Sequence, residues 1–292
     1  MVRARRSRIS VSTAAGILAD RPAQAKNLQL GDFASRTLVI IPAHDEEECI
    51  AGVVQRLREH GFTRIRVVDN ASTDRTGERA AEAGAEVLSH SRAGYGLACW
   101  LGGERVPPDV EWLLYCNADA SDDLEALDRF AEFAPGYDLI LGCRTRPEDQ
   151  QTMTRPQRFG NWLAPFLIRL LWRHRFHDLG PQRAIRLAAY RKIAMRDRGF
   201  GWTVEMQVRA VEAGLRIAEI PVRSFPRPAG KSKISGTVRG SILAGSIILR
   251  TIGFLALRRI WTSLFSRPIF GEAARNPSAT GIIGPTQRSI EK

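Results

Sequence analysis

The stretch LLYCNADASDDLEAL, residues 113–127, passes from an apolar run directly into a cluster of acidic side chains. The apolar run ends at Asn117, and Asp119 is the first carboxylate after it. A short apolar run with this polar boundary predicts a buried strand. The acids that follow either begin a helix, whose N-terminus favours negative charge, or form part of a cation site. For Asp122 and Asp123 we prefer the helix start.

Segments on both sides of this stretch alternate between the periods of strands and helices. Two of the helix patterns end at Gly61 and Gly84, and glycine is a common helix stop. Strands that alternate with helices predict an α/β fold, in which helices cover both faces of a mostly parallel sheet. The predicted strands are 37–41, 64–68, 85–89, 112–116 and 137–142, and the predicted helices are 46–61, 73–84, 94–105 and 122–133.

Acidic side chains follow three of the predicted strands. Asp45 and Glu46 follow the first strand, Asp69 follows the second, and Asp119 follows the fourth. Ligands of parallel sheets bind outside the carboxyl ends of the strands, so we expect these side chains to share one edge. Carboxylates that lie close together repel one another unless a cation offsets them. Oxygen ligands of this kind suit Mg²⁺ or Mn²⁺ bound to a diphosphate.

Candidate groups for activating an acceptor lie later in the chain. Asp178 and Glu205 are carboxylates, and either is a candidate general base. Glu205, on a helix predicted to begin near Thr203, faces either the core or the site, and capping or salt bridging is its alternative role. An acceptor that is itself a phosphate monoester needs no base, because its second pKa lies at about 6.

Five motifs occur in order along the chain: IPAHDEEE (41–48), VVDNASTD (67–74), NADASDD (117–123), GCR (142–144) and RPAGKSK (227–233). In order and spacing they resemble the inverting family-2 glycosyltransferases. The resemblance is closest to the dolichyl- or polyprenyl-phosphate mannosyl- and glucosyltransferases. It implies the GT-A fold, which has a Rossmann-like sheet, and transfer of a hexose from a GDP- or UDP-linked sugar.

The resemblance also implies roles for individual residues. Asp178 and Arg183 match the acceptor loop of the family, and with Glu205 they form the predicted catalytic set. The predicted metal ligands, for Mg²⁺ or Mn²⁺, are Asp119, Asn117 and Ser121. The residues predicted to bind the nucleotide sugar are Pro42, Ala43, His44, Glu46, Asp69, Asn117, Ala118, Arg144, Arg227, Lys231, Ser232 and Lys233.

Two of these positions depart from the family pattern. Asn117 stands where the first Asp of the D-x-D motif is usual, and Ser121 stands where Gln often adds a ligand. Asn still offers a carbonyl oxygen, but the site loses one negative charge. A non-catalytic protein that binds nucleotide sugars is therefore kept as an alternative.

Two segments have the pattern of helices at a membrane surface. Residues 158–176 place Trp162 and Phe166 on an apolar side, with arginines on the other. Residues 238–265 are more apolar, but Arg250 divides them into pieces too short to span a bilayer. We expect an interfacial helix or helical pair there, with a core helix or a tilted span as alternatives. The net charge of +12 suits an anionic lipid surface.

These patterns divide the chain into four predicted parts. Residues 1–35 form a basic, disordered tail, and residues 36–235 form the glycosyltransferase domain. Residues 236–266 form the amphipathic helices, and residues 267–292 form a loose C-terminal tail. The four cysteines lie in apolar or helical contexts, which favours buried free thiols in a reducing compartment.

Together the patterns predict an inverting glycosyltransferase that acts on a polyprenyl phosphate, bound peripherally at the cytoplasmic face of the cell membrane. Its partners are the nucleotide-diphosphate sugar, the lipid phosphate and the membrane surface. A glycolipid or a small soluble molecule is the alternative acceptor. The basic charge is not accompanied by a helix-turn-helix, zinc-finger or aromatic-basic RNA motif, so nucleic acid is not an expected partner.

Overall fold

The computed structural model describes residues 28–144, 153, 155–180, 182–228 and 238–265. Within these residues the chain forms seven strands and nine helices. The strands are β1 Thr37–Ala43, β2 Arg64–Asn70, β3 Glu86–His90, β4 Trp112–Tyr115, β5 Leu139–Cys143, β6 Arg183–Arg186 and β7 Ile217–Pro221. The helices are α1 Leu30–Ser35, α2 Ile50–Glu59, α3 Thr76–Glu82, α4 Tyr95–Gly102, α5 Leu127–Phe133, α6 Arg155–Trp172, α7 Leu187–Ile193, α8 Trp202–Glu212 and α9 Val238–Phe265.

The seven strands form one sheet in the order β3-β2-β1-β4-β6-β5-β7. Strand β6 runs antiparallel to both of its neighbours, and the other pairs are parallel. The mostly parallel α/β fold predicted from the sequence is therefore confirmed. The strand order reverses at β1, so the carboxyl ends of β1 and β4 lie side by side at the crevice where such sheets bind ligands.

Two strands were absent from the sequence prediction. Strand β6 has only four residues, and arginines stand at both of its ends, Arg183 and Arg186. Strand β7 carries Glu219 at its centre and ends at Pro221. Neither segment shows a clear apolar pattern that would predict a strand. Tertiary contacts, rather than local preference, place these charged residues in the sheet.

Helices cover both faces of the sheet, as predicted. On β1, Val39 and Ile41 face one hydrophobic cluster, while Leu38 and Ile40 face the other. Helices α1, α2, α3 and α5 contribute to the first cluster, and α4, α6, α7, α8 and the middle of α9 contribute to the second. The predicted buried free thiols are confirmed at Cys49, Cys99, Cys116 and Cys143.

The folded domain begins before the predicted boundary at residue 36. Helix α1 buries Phe33 completely, and its ring lies 6.3 Å from that of Phe62 and 5.6 Å from that of Trp112. Burial of one such side chain contributes about 1.5–3 kcal/mol. The prediction of a disordered tail is therefore wrong for Leu30–Ser35, while residues 1–27 lie outside the described residues.

The acidic turn after β4 also differs from the prediction. Helix α5 begins only at Leu127, so Asp122 and Asp123 do not start it. Both carboxylates accept backbone hydrogen bonds in the turn, Asp122 from Asn117 and Asp123 from Arg223. These bonds hold the chain in an irregular path, and the helix forms only after it.

The C-terminal segment forms a single helix, α9, so the alternative of a helical pair is wrong. The chain divides into two units after Ala256. In the first unit, Ile252 and Leu255 of α9 are buried in the second hydrophobic cluster. In the second unit, the exposed side chains of the helix include Leu257, Ile260 and Trp261. Among the described helices, none combines the length and the hydropathy that a bilayer span requires.

Candidate active site

The three acidic strand ends share one backbone conformation. After β1, β2 and β4, a residue other than glycine adopts a positive φ: Asp45 at 50°, Ala71 at 61° and Ala120 at 58°. This left-handed conformation is uncommon for such residues. It is often found at functional sites, where the surrounding contacts hold it in place. Each turn reverses the direction of the chain close to the sheet, so the acidic residues stay at its carboxyl edge.

Hydrogen bonds join the turn after β1 to the turn after β2. The Asp45 carboxylate accepts from the Thr73 backbone N–H at 2.7 Å, and the Asp45 backbone N–H donates to Ser72 Oγ at 3.0 Å. The Glu46 backbone N–H donates to Thr76 Oγ1 at 2.7 Å. The two turns therefore behave as one structural unit beneath the crevice.

The carboxylates of Glu46 and Asp119 share one cation, Arg227. Arg227 Nη1 lies 2.9 Å from Glu46 Oε1, and Arg227 Nε lies 2.8 Å from Asp119 Oδ2. Both acids are buried, whereas 28% of the Arg227 side chain is exposed. Acids from the ends of β1 and β4 therefore converge on one point, and that point attracts positive charge.

Asn117 binds within its own turn. Its backbone N–H donates to Asp122 Oδ2 at 2.7 Å, and its side-chain Nδ2 donates to Asp122 Oδ1 at 3.1 Å. A carboxylate at position 117 has no hydrogen to donate when ionised, so Asn is the residue that suits Asp122 as a neighbour. Burial raises the pKa of Asp122 to about 7, and the negative charge of Asp119 acts in the same direction.

Asp119 presents one oxygen to its turn and the other to the site. Its Oδ1 accepts from Ser121 Oγ at 2.5 Å and from the Ser121 backbone N–H at 3.1 Å. Within the described residues, no three His, Cys, Asp or Glu side chains form a complete metal site. The oxygens of Asp119 and Ser121, with the Asn117 amide nearby, instead fit a hard divalent cation that takes its other ligands from a diphosphate and water.

The segment after β7 lies along this acidic turn. The Phe225 backbone N–H donates to the Ser121 carbonyl at 3.0 Å, and Ser224 forms a β-bridge with Asp122. This pairing brings Arg227 to its two carboxylates. A small cleft opens between the segment and the ends of β4 and β5, and its lining includes Asn117, Ser121, Asp122, Gly142, Arg144 and Gln182.

Arg144, which follows β5 at the cleft, is held by Asp178. Its Nε and Nη2 lie 2.8 Å and 2.9 Å from the two oxygens of Asp178, and its backbone N–H donates to the same carboxylate at 2.9 Å. A side chain at Gly180 would collide with the Gly142 carbonyl, so glycine allows this loop to lie against β5. The structure thus brings both predicted residues to the cleft, where Asp178 is the partner of Arg144 rather than a free carboxylate.

Glu205 is buried in the fold, on α8. Its Oε2 accepts from the backbone N–H groups of Arg196 and Asp197 at 2.9 Å and 2.6 Å. Its Oε1 accepts from Arg209 Nε at 2.6 Å. This geometry favours the salt-bridging alternative and gives no support to Glu205 as a general base.

Arg183 is completely buried on β6. Its guanidinium donates to the carbonyl of Thr203 at 3.1 Å and to the carbonyl of Gly180, and it lies 5.6 Å from the centre of the Trp202 ring. These contacts join the loop before β6 to the start of α8. These contacts give Arg183 a structural role in the loop before β6.

The remaining predicted residues lie around the crevice or outside the described residues. Residues 42–44 lie at the end of β1, and Ala118 packs into the first hydrophobic cluster. Asp69 accepts from the Ser72 backbone N–H at 3.1 Å. Lys231, Ser232 and Lys233 lie outside the described residues.

Sequence reasoning missed the residues that connect the site across the sheet. Ser224 was not singled out, because its contact with Asp122 depends on β7 and on a long-range pairing. Glu219 was missed with the strand that carries it. Asp122 was noticed as an acid, but nothing in the sequence distinguished it from its neighbours as the partner of Asn117.

Comparisons with known proteins bear on the same residues. The family described as glycosyl transferase family 2 matches residues 38–194, which include the three acidic turns and the Arg144–Asp178 pair. An uncharacterised glycosyltransferase of Mycobacterium tuberculosis is 37% identical over 207 residues, which are 70% of this chain and 93% of the relative. The undecaprenyl-phosphate mannosyltransferase of Micrococcus luteus is 30% identical over 218 residues, which are 70% of this chain and 90% of the relative.

A solved structure has the same fold. It is the glucosyl-3-phosphoglycerate synthase of Mycobacterium tuberculosis in complex with Mn²⁺, uridine diphosphate and glucosyl-3-phosphoglycerate. It matches with a TM-score of 0.58 over 80% of this chain and 86% of that chain. The sequence identity is 19%, so the likeness concerns the fold alone.

Proposed function

Because the chain belongs to glycosyl transferase family 2, we propose that this glycosyltransferase moves a hexose to a polyprenyl phosphate. The donor is a GDP- or UDP-linked sugar, and transfer inverts the configuration at the anomeric carbon. The protein works at the cytoplasmic face of the membrane, to which it binds peripherally. The name of the Micrococcus luteus relative, an undecaprenyl-phosphate mannosyltransferase, supports the acceptor.

The observation that carries the acceptor proposal is that both candidate bases are already engaged. The Asp178 carboxylate binds Arg144 through both oxygens, and Glu205 is buried against Arg209. An alcohol must lose its proton as it attacks, which calls for a base. A phosphate monoester is already an anion at neutral pH, since its second pKa is about 6. The site therefore suits an acceptor that brings its own nucleophilic oxygen.

In the proposed reaction, an oxygen of the acceptor phosphate forms a bond to the anomeric carbon. The bond between that carbon and the donor diphosphate breaks, and the nucleoside diphosphate leaves with the electron pair. Arg227 lies where it can bind the departing diphosphate once it separates from Glu46 and Asp119. No proton has to be removed from the acceptor in this step.

A divalent cation, Mg²⁺ or Mn²⁺, is part of this proposal. Asp119, Ser121 and Asn117 would hold it, and when bound it supplies charge neutralisation for the diphosphate. The Mn²⁺ and uridine diphosphate named for the related solved structure support this assignment. The role of this chain's own residues is to orient the ligands: Ser121 holds one oxygen of Asp119, and Asp122 holds Asn117.

An exposed aromatic stripe on α6 supports the membrane part of the proposal. Phe159, Trp162, Phe166 and Leu170 are each exposed by 49% or more, and the rings of Trp162 and Phe166 stack at 5.6 Å. Soluble proteins rarely expose large contiguous apolar patches without a binding role. The opposite side of the helix is already buried, through Ala164 and Ile168. The stripe therefore suits the interface of a bilayer.

Turnover with a series of acceptors tests the proposal. The full chain is incubated with each sugar nucleotide, Mn²⁺ and one acceptor: a polyprenyl phosphate in vesicles, the matching polyprenol, or 3-phosphoglycerate. We expect glycosyl transfer to the polyprenyl phosphate only. Transfer to the polyprenol would contradict the argument from the engaged bases, and transfer to 3-phosphoglycerate alone would make the acceptor a soluble phosphate.

The stripe has its own test. Replacing Trp162 and Phe166 by Ser should lower co-sedimentation with anionic vesicles and lower lipid-phosphate turnover together, while donor hydrolysis by water is unchanged. A matched control replaces Gln55 and Glu59 of α2 by Ser, since both are exposed on the other side of the sheet. Equal vesicle binding by the two double variants would show that α6 does not bind the membrane surface.

A further inference from the structure

Another pair of titratable side chains, His177 and Glu219, lies close to the cleft. His177 Nδ1 is 2.6 Å from Glu219 Oε2, and the His177 backbone N–H donates to Glu219 Oε1 at 2.9 Å. Glu219 is nearly buried on β7, while 24% of the His177 side chain is exposed. An ionised carboxylate only accepts, so the hydrogen of this bond lies on Nδ1. The part of the chain that the structure describes supplies no hydrogen-bond partner for Nε2.

Further contacts fix the backbone around His177. The carbonyl of Asp178 accepts from Gln207 Nε2 at 3.0 Å, and the Leu179 backbone N–H donates to Asn161 Oδ1 at 2.9 Å. The ring is thus held from β7, and the two residues after it are held from α8 and α6. A side chain that binds a ligand group needs this kind of support to keep its position.

The two residues that follow His177 contact both surfaces that the proposed function uses. The next residue, Asp178, binds Arg144, which lines the cleft. Asn161, which holds the same loop, directly precedes Trp162 of the exposed stripe on α6. A lipid whose chain lies along that stripe would bring its phosphate to this loop on the way to the sugar.

We propose that His177 binds the phosphate group of the acceptor through Nε2, an inference that rests on the proposed function. With hydrogens on both ring nitrogens, Nε2 donates a charge-assisted bond to a phosphate oxygen. Glu219 fixes the ring so that Nε2 is the free edge, in the way that outer carboxylates orient functional histidines.

The charged groups around His177 are its partner Glu219, the Arg144–Asp178 pair, and Arg173 and Arg175, which are exposed on the same loop. The carboxylate of Asp178 is balanced by Arg144, and Glu219 is the partner of His177 itself. The ring of His174, on the same loop, lies 4.5 Å from that of Phe176 and is tilted by 52° to it.

Steady-state kinetics of the full chain with a polyprenyl phosphate in vesicles tests the inference. Replacing His177 by Ala should raise the acceptor KM at least tenfold, with donor affinity and donor hydrolysis unchanged. His177→Lys, which keeps a cationic donor, should recover part of the loss. A fall in kcat with the acceptor KM unchanged would instead indicate that His177 is a general base. Equal losses of affinity for donor and acceptor would indicate that His177 has a purely structural role. Either result overturns the inference.

A second measurement separates this inference from the proposed function. The ring signals of His177, assigned by their loss in the His177→Ala variant, are followed by NMR during titration with farnesyl phosphate and with inorganic phosphate. We expect saturable shifts with farnesyl phosphate and weaker ones with inorganic phosphate. If the protein glycosylates lipid phosphate but the ring signals do not shift, the role of His177 is refuted and the proposed function stands. Ring shifts in a protein that transfers no sugar to lipid phosphate support phosphate binding by His177 and refute the proposed acceptor.

Discussion

Ion pairs in two regions of this molecule are built in opposite ways. At the edge formed by β1 and β4, two carboxylates, Glu46 and Asp119, share the single guanidinium of Arg227, which is partly exposed. In the loop before β6 and on α8, Asp178 and Glu205 each have an arginine of their own and accept backbone hydrogen bonds as well. The difference teaches which charges are exchangeable. A shared, accessible cation can be replaced by another cation, whereas a buried and fully bonded pair belongs to the fold.

The largest expected effect comes from breaking a buried pair. Glu205→Ala leaves the guanidinium of Arg209 buried without its carboxylate, and it leaves two backbone N–H groups without an acceptor. We expect the free energy of unfolding to fall by about 3–5 kcal/mol, the usual cost of removing one partner of a buried pair. Urea unfolding followed by circular dichroism measures this change.

Arg227→Ala is the matched variant at the other edge. Arg227 is partly exposed, so water can reach the two carboxylates that it leaves, and we expect a smaller loss than for Glu205→Ala in the same assay. Equal losses for the two variants would mean that the contrast between exchangeable and permanent pairs is wrong.

The second effect concerns the cation that replaces Arg227. Arg227→Gln removes a positive charge that lies 2.8 Å from Asp119 Oδ2. Without nucleotide, we expect Mn²⁺ to bind the variant about tenfold more tightly, a gain of about 1.4 kcal/mol. Titration calorimetry measures this change. Arg223→Gln is the control, because the Arg223 side chain is exposed nearby and its contact with Asp123 is made by the backbone N–H. Unchanged Mn²⁺ affinity would show that Arg227 does not compete with the metal.

The smallest expected effect is a pH dependence of stability that comes from Asp122 in the acidic turn. Burial raises the pKa of Asp122 from 3.8 to about 7, so between these values the folded chain holds a proton that the unfolded chain has lost. The stabilisation is complete below the unfolded pKa and disappears as the pH rises through the folded one. Relative to Asp122→Asn, the parent should lose about 1 kcal/mol of stability between pH 6 and pH 7. If the stability of the two proteins changes in parallel with pH, Asp122 does not titrate in this range.

Much of the fold and part of the site could be predicted from the sequence. Five motifs indicated family 2 and the GT-A fold, and both are confirmed. The meeting of Glu46 and Asp119 at one edge followed from strand order, because parallel strands bring their carboxyl ends together. These inferences depend on local pattern and on one general rule of topology.

Long-range contacts account for what could not be predicted. Arg227 and Glu46 are separated by 181 positions, and no local signal links them. The burial of Glu205 depends on a loop that folds back to offer its backbone N–H groups. The roles proposed for Lys231 and Lys233 stay predictions, since both lie outside the described residues.

The shared position of Arg227 also has a kinetic consequence. A donor that approaches the empty site meets acids whose charge is already compensated, and it can bind fully only after two ion pairs separate. We therefore expect the rate of donor association to level off at high donor concentration, in stopped-flow experiments, at the rate with which Arg227 departs. After transfer, the return of the same side chain to Glu46 and Asp119 would hasten the release of the spent nucleotide. One arginine would then govern both the loading and the clearing of the site.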